Sequence, residues 1–302
     1  MKQLFWIFLV CLLFMGCKST SQTIGKKETT PEIENSLLWE IEGEGLDKTS
    51  YLFGTIHMIG KEDFVLTAPT QKAFDDSERV AFEIDLEEMM DVSAMMPLMM
   101  KAFMANDTTL SDLLTEEQYT KVDKHFQKLG IPLMFLERLK PMFLSMMASE
   151  DLTTGQTTGD IVSYEMKLME RANSQSKEID GLETAEFQMS MFDSIPYKVQ
   201  AHMLMDALEG TGDGNSADFD LMVDLYKKQD IAAMQQLMEG DGTLGQYEDL
   251  LLVQRNKNWI PIMTDMMTKN SVFFAVGAGH LGGQMGVVNL LRQAGYTVKP
   301  IK

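Results

Sequence analysis

Two matched segments near the ends of this 302-residue chain constrain its fold more than any other feature. At the N-terminal end, an apolar, strand-like run leads into Gly54-Thr55-Ile56-His57, and at the C-terminal end a similar run leads into Gly277-Ala278-Gly279-His280. In both places a loop, a helical pattern and a second strand-like run follow. This internal repeat predicts two strand–G-x-x-H–helix–strand units, which are typical of an α/β fold with a mixed sheet.

Both units place a histidine, His57 or His280, where a strand ends. Polar groups at strand ends line ligand sites in open α/β sheets, because the loops there lie beside a rigid sheet. We therefore expect the two strands to be neighbours and the histidines to lie close together. Gly54 and Gly277 would let the backbone approach closely or adopt positive φ. The alternative is that each histidine is a structural hydrogen-bonding residue.

The segment between the two units has helical periodicity from Glu87 to about Leu252, interrupted by glycines and prolines. A strand-like island at Ser176–Ile179 breaks that run. We therefore predict one α/β domain over residues 36–302, with a large helical insertion at about residues 87–252.

The first 35 residues carry export signals. An apolar run at Leu4–Met15 is followed by Gly16 and Cys17, which predicts a secretory signal peptide over residues 1–16. The run is shorter than the roughly 20 residues that a permanent membrane helix needs. It also resembles a lipobox, so we expect lipidation of Cys17, a flexible tether over 17–35, and attachment to the periplasmic side of a bacterial envelope membrane, the outer one. A plain secreted protein is the alternative.

Charge and cysteine content argue against a nucleic-acid-binding protein and against a fold stabilised by disulfides. The chain has 26 Lys plus Arg against 45 Asp plus Glu, and the net charge of −19 argues against nucleic acid as a partner. Both cysteines, Cys11 and Cys17, lie in the export segment, so the folded part needs no disulfide. Nothing in the sequence determines the oligomeric state.

The strand-like run Arg79–Leu86 carries two acids, Glu83 and Asp85, among apolar residues. An unpaired buried carboxylate is costly, so Glu83 should meet a cation. Two imidazoles and one carboxylate are a minimal donor set for a divalent transition metal such as Mn, Co or Zn, which predicts His57, His280 and Glu83 as ligands. Asp85 shares a face with Glu83 by the strand period and is a supporting or alternative ligand.

Such a metal would activate water for hydrolysis, with a nearby carboxylate such as Glu83 as the base. Three alternatives stay open at this point. Glu83 could instead form an ion pair with Arg255. His57 could act as a general base oriented by Glu83, in a metal-independent, esterase-like hydrolase. The histidine site could also hold a ligand or metal in a binding lipoprotein that has no catalytic activity.

The residues that carry these patterns resemble the TraB/PrgY/GumN family, which includes the Tiki metalloproteases, and most closely its bacterial GumN-like branch. The similar segments are Tyr51–His57, Phe82–Asp85, Leu139–Pro141, Gly181–Gln188, Arg255–Trp259 and Val276–Gly283. The resemblance implies an α/β fold shared with erythromycin-esterase-like and ChaN-like proteins. It also implies a site with both histidines and acidic residues, metal-dependent peptidase activity, and a peptide or acyl substrate.

The resemblance also places Arg255 and Asn256 near the site, where they could bind a substrate carboxylate or a developing oxyanion. A surface arginine followed by a capping asparagine is the alternative. Glu183 could face the site too, although Thr184 beside it is a typical helix N-cap.

Methionine is unusually common, with 27 residues. Many fall at helical spacings: Met89, Met90, Met95, Met96, Met99, Met100, Met104, Met134, Met142, Met146 and Met147. Thioethers can bind Cu(I). An adaptable apolar core or a peptide-binding groove is the interpretation that we favour.

Overall fold

The computed structural model describes residues 33–43, 45–86, 92–148, 161–209, 216–239 and 246–302. The signal peptide, Cys17 and most of the tether lie outside these ranges, as do Met89 and Met90. Export and lipidation therefore stay predictions. Across the described ranges, no helix combines the length and the apolar character that a membrane crossing requires.

A six-stranded mixed sheet is at the centre of the fold. The strands in chain order are β1 (Leu38–Glu42), β2 (Ser50–Thr55), β3 (Ile59–Gly60), β4 (Arg79–Ile84), β5 (Ile161–Val162), β6 (Glu178–Glu183), β7 (Val272–Gly277) and β8 (Thr297–Ile301). The sheet order is β6-β4-β7-β2-β1-β8, and β3 pairs with β5 in a separate short ribbon. Strands β6, β4, β7 and β2 are parallel, whereas β1 is antiparallel to β2 and β8.

Helices surround this sheet. They are α1 (Ala68–Asp76), α2 (Val92–Lys101), α3 (Leu110–Leu113), α4 (Glu116–Lys128), α5 (Pro141–Ala148), α6 (Tyr164–Ser174), α7 (Ala185–Met191), α8 (Tyr197–Glu209), α9 (Ser216–Lys227), α10 (Ile231–Glu239), α11 (Gln254–Met267) and α12 (Val287–Gln293). Short 3₁₀ turns cover Leu133–Phe135, Phe192–Ser194 and Ala278–His280, and a π-helical turn at Asp249–Val253 leads into α11.

The predicted α/β class and both G-x-x-H units are confirmed. Strand β7 is buried along almost its whole length because parallel strands flank it on both sides and helices cover it. It pairs with β2 in a register that places Gly54 opposite Val276 and Thr55 opposite Gly277. The two histidine-bearing strands are therefore neighbours, and both end at the same edge of the sheet.

Two expectations about strands need correction. The predicted island at Ser176–Ile179 is the start of β6, which extends to Glu183 and pairs with β4 in the main sheet. The segment predicted as a helical insertion thus contributes an edge strand. Strand β4 ends at Ile84, so Asp85 lies beyond the strand that was predicted to continue to Leu86.

The apolar interior has two parts within a unit that covers residues 33–302. The larger cluster packs both faces of the sheet, with Trp39, Phe74 and Phe273 among its buried side chains. The second joins helices from the middle of the chain around Phe126 and Leu204. The middle segment therefore supplies an apolar core of its own.

Three methionines of α2 are exposed to solvent. Met96, Met99 and Met100 are 61%, 53% and 68% exposed, whereas Met104 just after the helix is buried. The core interpretation is therefore wrong for these three side chains of α2. Met134, in the 3₁₀ turn before α5, is also exposed.

Candidate functional site

The candidate site lies at the carboxyl ends of the four parallel strands. Strand β2 leads to His57 and β7 leads to His280, while Glu83 and Glu183 lie near the ends of β4 and β6. Parallel pairing brings these four ends to one edge, so residues far apart in sequence meet there. Helix α11 adds Arg255 to this edge.

His280 is buried, and its hydrogen bonds define its tautomer. Asn256 Nδ2 donates to the carbonyl oxygen of Met285 at 2.9 Å, which orients Asn256 Oδ1 toward His280 Nδ1 at 2.6 Å. Because that amide oxygen only accepts, Nδ1 carries the proton and Nε2 carries the lone pair. Burial is the main cause that lowers the pKa of His280 to about 4, so the ring is neutral at pH 7.

Arg255 is buried beside His280, and its guanidinium N–H groups have protein acceptors. Nε and Nη2 both donate to Glu183, Nη2 also to Glu83, and Nη1 to the carbonyl oxygen of Leu251. Nη1 lies 3.1 Å from His280 Nε2, which accepts because it is the unprotonated nitrogen. Leu251 belongs to the π-helical turn, whose local geometry presents this carbonyl to the guanidinium.

Glu83 is an ionised, fully partnered carboxylate. Its Oε1 accepts from Gly277 N at 2.8 Å and lies 3.6 Å from His280 Nε2, and its Oε2 accepts from Arg255. Burial opposes ionisation, but Arg255, the Gly277 N–H and His280, once its ring is protonated below about pH 4, together lower the pKa of Glu83 to about 2. The ion pair of Glu83 with Arg255, which the sequence left open as an alternative to a metal, is therefore present in the structure.

Glu183 is the second carboxylate that holds Arg255. Trp259 Nε1 donates to Glu183 Oε2 at 3.1 Å, and the Trp259 ring packs against the guanidinium at 4.9 Å. Gln188, on α7, bridges the carboxylates by donating to Glu83 and Glu183, at 3.2 Å each. The predicted N-cap at Thr184 is also present, since its hydroxyl accepts from the N–H of Phe187. Glu183 therefore faces the site, and Thr184 beside it is also the N-cap of α7.

His57 lies at the exposed rim of the site and is oriented by a different carboxylate. Its Nδ1 lies 3.0 Å from Glu165 Oε1, which also accepts from the Thr55 hydroxyl at 2.7 Å, and Ser163 donates to Oε2. The hydrogen bond with Glu165 is the main cause that raises the pKa of His57. The esterase-like alternative named Glu83 as the orienting group; the structure puts Glu165 in that place.

Both glycines of the G-x-x-H units permit close approach rather than positive φ. A Cβ on Gly54 would lie 2.6 Å from Leu281 Cδ1, so β2 packs tightly under the turn that carries His280. A Cβ on Gly277 would lie 3.1 Å from Glu83 Oε1. Neither glycine is among those with positive φ.

The structure also distinguishes between the two interpretations of Arg255 and Asn256, as site residues or as surface residues of α11. Arg255 and Asn256 are buried, so the interpretation as a surface arginine with a capping asparagine is wrong. Asn256 positions His280 through its amide oxygen. The Arg255 contacts use the hydrogen-bonding capacity that a substrate carboxylate would need. Asp85 follows the end of β4, where its backbone N–H lies close against Gly181 of β6.

The donor chemistry fits a divalent transition metal, but the arrangement of the donors is only partly suitable. Glu165 behind His57 and Asn256 behind His280 are the kind of support that metal-binding histidines have, and each leaves Nε2 toward a ligand. Yet the part of the chain that the structure describes contains no three His, Cys, Asp or Glu side chains arranged to hold an ion. Arg255 engages both His280 Nε2 and Glu83.

Sequence reasoning did not identify Glu165 or Trp259 as site residues. Glu165 is 108 positions from His57 and stands in the first turn of α6, where an acid is ordinary helix chemistry. Trp259 is one turn after Arg255 on the same face of α11, and that spacing is the signal that could have indicated it.

Comparisons with known proteins find relatives that are named metalloproteases. Metalloprotease TIKI2 of Danio rerio is 21% identical over 97% of this chain and 67% of its own length. Metalloprotease TIKI1 of Danio rerio is 23% identical over 91% of this chain and 65% of its own length, and metalloprotease TIKI1 of Homo sapiens is 23% identical over 97% and 68%.

The chain thus spans about two thirds of the length of these relatives. No solved structure matches it. The model of the TraB/PrgY/gumN family matches residues 37–300, which include every site residue described above. The chain therefore belongs to the TraB/PrgY/gumN family and is related to the Tiki metalloproteases at the level of that family.

Proposed function

We propose that this protein is a metal-dependent hydrolase that cleaves peptide bonds, and that His57, His280 and Glu83 hold the metal. One observation carries the proposal: both strand-end histidines have Nδ1 on a fixed protein acceptor, Glu165 or Asn256, so that Nε2 is the nitrogen left for a ligand. Relatives named metalloproteases support the same class of reaction.

A divalent metal bound there would supply a water of lowered pKa and polarise a scissile carbonyl. The roles of the protein residues follow from their contacts. Glu165 fixes the ring of His57 at the rim, where substrate enters, and Asn256 fixes His280 in the interior. Gly277 N–H holds one oxygen of Glu83, which keeps this carboxylate ionised and able to serve as an anionic metal ligand.

We further propose that the protein works at the periplasmic face of the outer membrane, bound through a lipid on Cys17. The support is the sequence Leu13-Phe14-Met15-Gly16-Cys17 at the end of the apolar run. In such a protein residues 17–35 would tether the domain, and its substrates would be exported peptides. Mass spectrometry of Cys17 from the membrane fraction checks this.

A second candidate is a hydrolase that works without a metal, and the His57–Glu165 pair favours it. A carboxylate on Nδ1 holds the imidazole in the tautomer whose Nε2 can accept a proton, as in a general base. The exposed position of His57 gives Nε2 access to a substrate or water.

The deciding experiment measures hydrolysis of a fluorogenic peptide library and of short acyl esters, after chelation and after addition of Mn²⁺, Co²⁺ or Zn²⁺. We expect peptide cleavage that needs added metal and that His57→Ala and His280→Ala both abolish. His202→Ala is the matched control because His202 pairs with Asp206 on the exposed face of α8. Ester cleavage that survives chelation and needs Glu165 would favour the second candidate. Metal binding without any cleavage would instead indicate a binding lipoprotein.

A further inference from the structure

The guanidinium of Arg255 occupies the direction from which a metal would bind His280. Asn256 holds the proton of His280 on Nδ1, so the lone pair of Nε2 is the only metal-binding position of this ring. Arg255 Nη1 lies 3.1 Å from that nitrogen. A zinc ion bound to an imidazole lies about 2.0–2.1 Å from the nitrogen, so along this line it would be about 1 Å from Nη1.

From this overlap we infer that Arg255 is a built-in competitor of the metal, and that metal binding at His280 is an exchange in which the guanidinium leaves His280 and Glu83. The inference rests on the proposed function, because it concerns the same donors. Two positive groups cannot share the lone pair of Nε2, so each binding event must displace the other.

The structure also provides a place for the displaced guanidinium. Arg255 Nε and Nη2 donate to Glu183, and the side chain packs on Trp259, so these contacts can persist when Nη1 leaves His280. Glu183 is itself held by Trp259 Nε1 and Gln188. Glu183 and Trp259 thus form an anchor for the guanidinium, and neither residue is a proposed metal ligand, although the Trp259 ring also packs on His280 with the ring centroids 4.5 Å apart.

Electrostatics favours the exchange. Around the guanidinium, Glu83 and Glu183 contribute two negative charges against the single positive charge of Arg255, and Glu165 at the rim adds a third. A cation that replaces Arg255 at Glu83 is attracted by this excess, while Arg255 keeps Glu183. If the contact with Nε2 is populated nine times in ten, the apparent metal affinity is reduced about tenfold.

The test measures Zn²⁺ binding by titration calorimetry on the wild type, Arg255→Lys and Arg255→Gln. Lysine keeps the charge but has a single nitrogen, which the two carboxylates will hold in preference to the neutral imidazole. We therefore expect both variants to bind Zn²⁺ at least about tenfold more tightly than the wild type. His280→Ala should remove the gain in Arg255→Lys.

Arg79→Lys is the matched control, because Arg79 bridges β4 to Glu178 and Asp180 of β6 at the opposite ends of the same strands. Its Zn²⁺ affinity should equal that of the wild type. A gain in Arg255→Gln without one in Arg255→Lys would mean that only charge matters and would overturn the competition. Equal affinity of wild type and Arg255→Lys would overturn it too, while leaving the proposed metal site intact.

A measurement on the wild type covers the case in which the variants do not fold. The Nη1 protons of Arg255 should give protected NMR signals, because the group is buried and hydrogen-bonded. Stoichiometric Zn²⁺ should shift them and speed their exchange with water. Signals that stay unchanged when Zn²⁺ is bound would contradict the exchange, whereas absence of Zn²⁺ binding in the wild type and in the folded Arg255 variants would overturn the metal site itself and the competition with it.

Discussion

Glu83→Gln should lower the free energy of unfolding by an amount that depends on pH. Glu83 is buried, and its pKa is lowered from 4.5 to about 2 despite the cost of burial, because Arg255 and the N–H of Gly277 stabilise the carboxylate, joined by His280 below about pH 4, where its ring is protonated. The difference of about 2.5 in pKa corresponds to about 3 kcal/mol, at about 1.4 kcal/mol for each unit.

The sign of the pH dependence follows from a pKa that is lower in the folded state. The stabilisation by ionised Glu83 is complete above about pH 4.5 and is lost as the pH falls toward 2. The amide of Glu83→Gln cannot ionise. The penalty of this substitution should therefore be at most about 3 kcal/mol at pH 7, because neutral His280 contributes no charge there, and should fall to about 1 kcal/mol at pH 3.

Urea unfolding followed by far-UV circular dichroism, at pH 7 and pH 3, measures this penalty. Glu178→Gln is the control, since Glu178 pairs with Arg79 at the exposed end of β6 and an exposed pair contributes about 0–1 kcal/mol. A penalty for Glu83→Gln that is the same at both pH values would refute the assignment of Glu83 as an ionised buried partner of Arg255.

Three other substitutions test the supports of the site. Glu165→Gln should lower the pKa of His57, followed by NMR titration of its ring protons, because the hydrogen bond that raises this pKa loses its charge; an unchanged value would contradict the pairing. Gly54→Ala should destabilise the fold by about 1–3 kcal/mol in urea, since its Cβ would meet Leu281 at 2.6 Å. Trp259→Phe removes an indole N–H from a buried carboxylate and should cost about 1–3 kcal/mol in the same assay; a neutral effect would show that the bond is unimportant.

The sheet could be predicted from the sequence where a strand is covered on both faces. Strand β7 has an unbroken apolar run because helices and neighbouring strands bury it, and its short length and the glycine that ends it indicate a strand. Strand β6 was predicted too short because Asp180 and Glu183 look unlike a strand interior. Both acids are tolerated there since an arginine from another element meets each one, Arg79 for Asp180 and Arg255 for Glu183. Ion pairs between residues that are far apart in the chain leave no local pattern in the sequence.

In the site, too, features with a local sequence pattern could be predicted, whereas contacts between distant residues could not. Strand-end histidines have a local signature, so His57 and His280 could be named, and Glu83 could be chosen because an acid within a strand needs a partner. The choice between a metal and Arg255 as that partner depends on a contact across 172 positions. The exposed methionines of α2 show the converse: helical spacing predicts a face, but not whether another element covers it.

The most direct test of the account is the number of metal ions bound by each chain, measured by equilibrium dialysis against Zn²⁺ followed by elemental analysis. The account predicts one ion per chain in the wild type and in His202→Ala, and less than a tenth of an ion in both His57→Ala and His280→Ala when these are folded by circular dichroism. Zinc content that is unchanged in either of the two site variants would contradict a metal shared by the two G-x-x-H histidines.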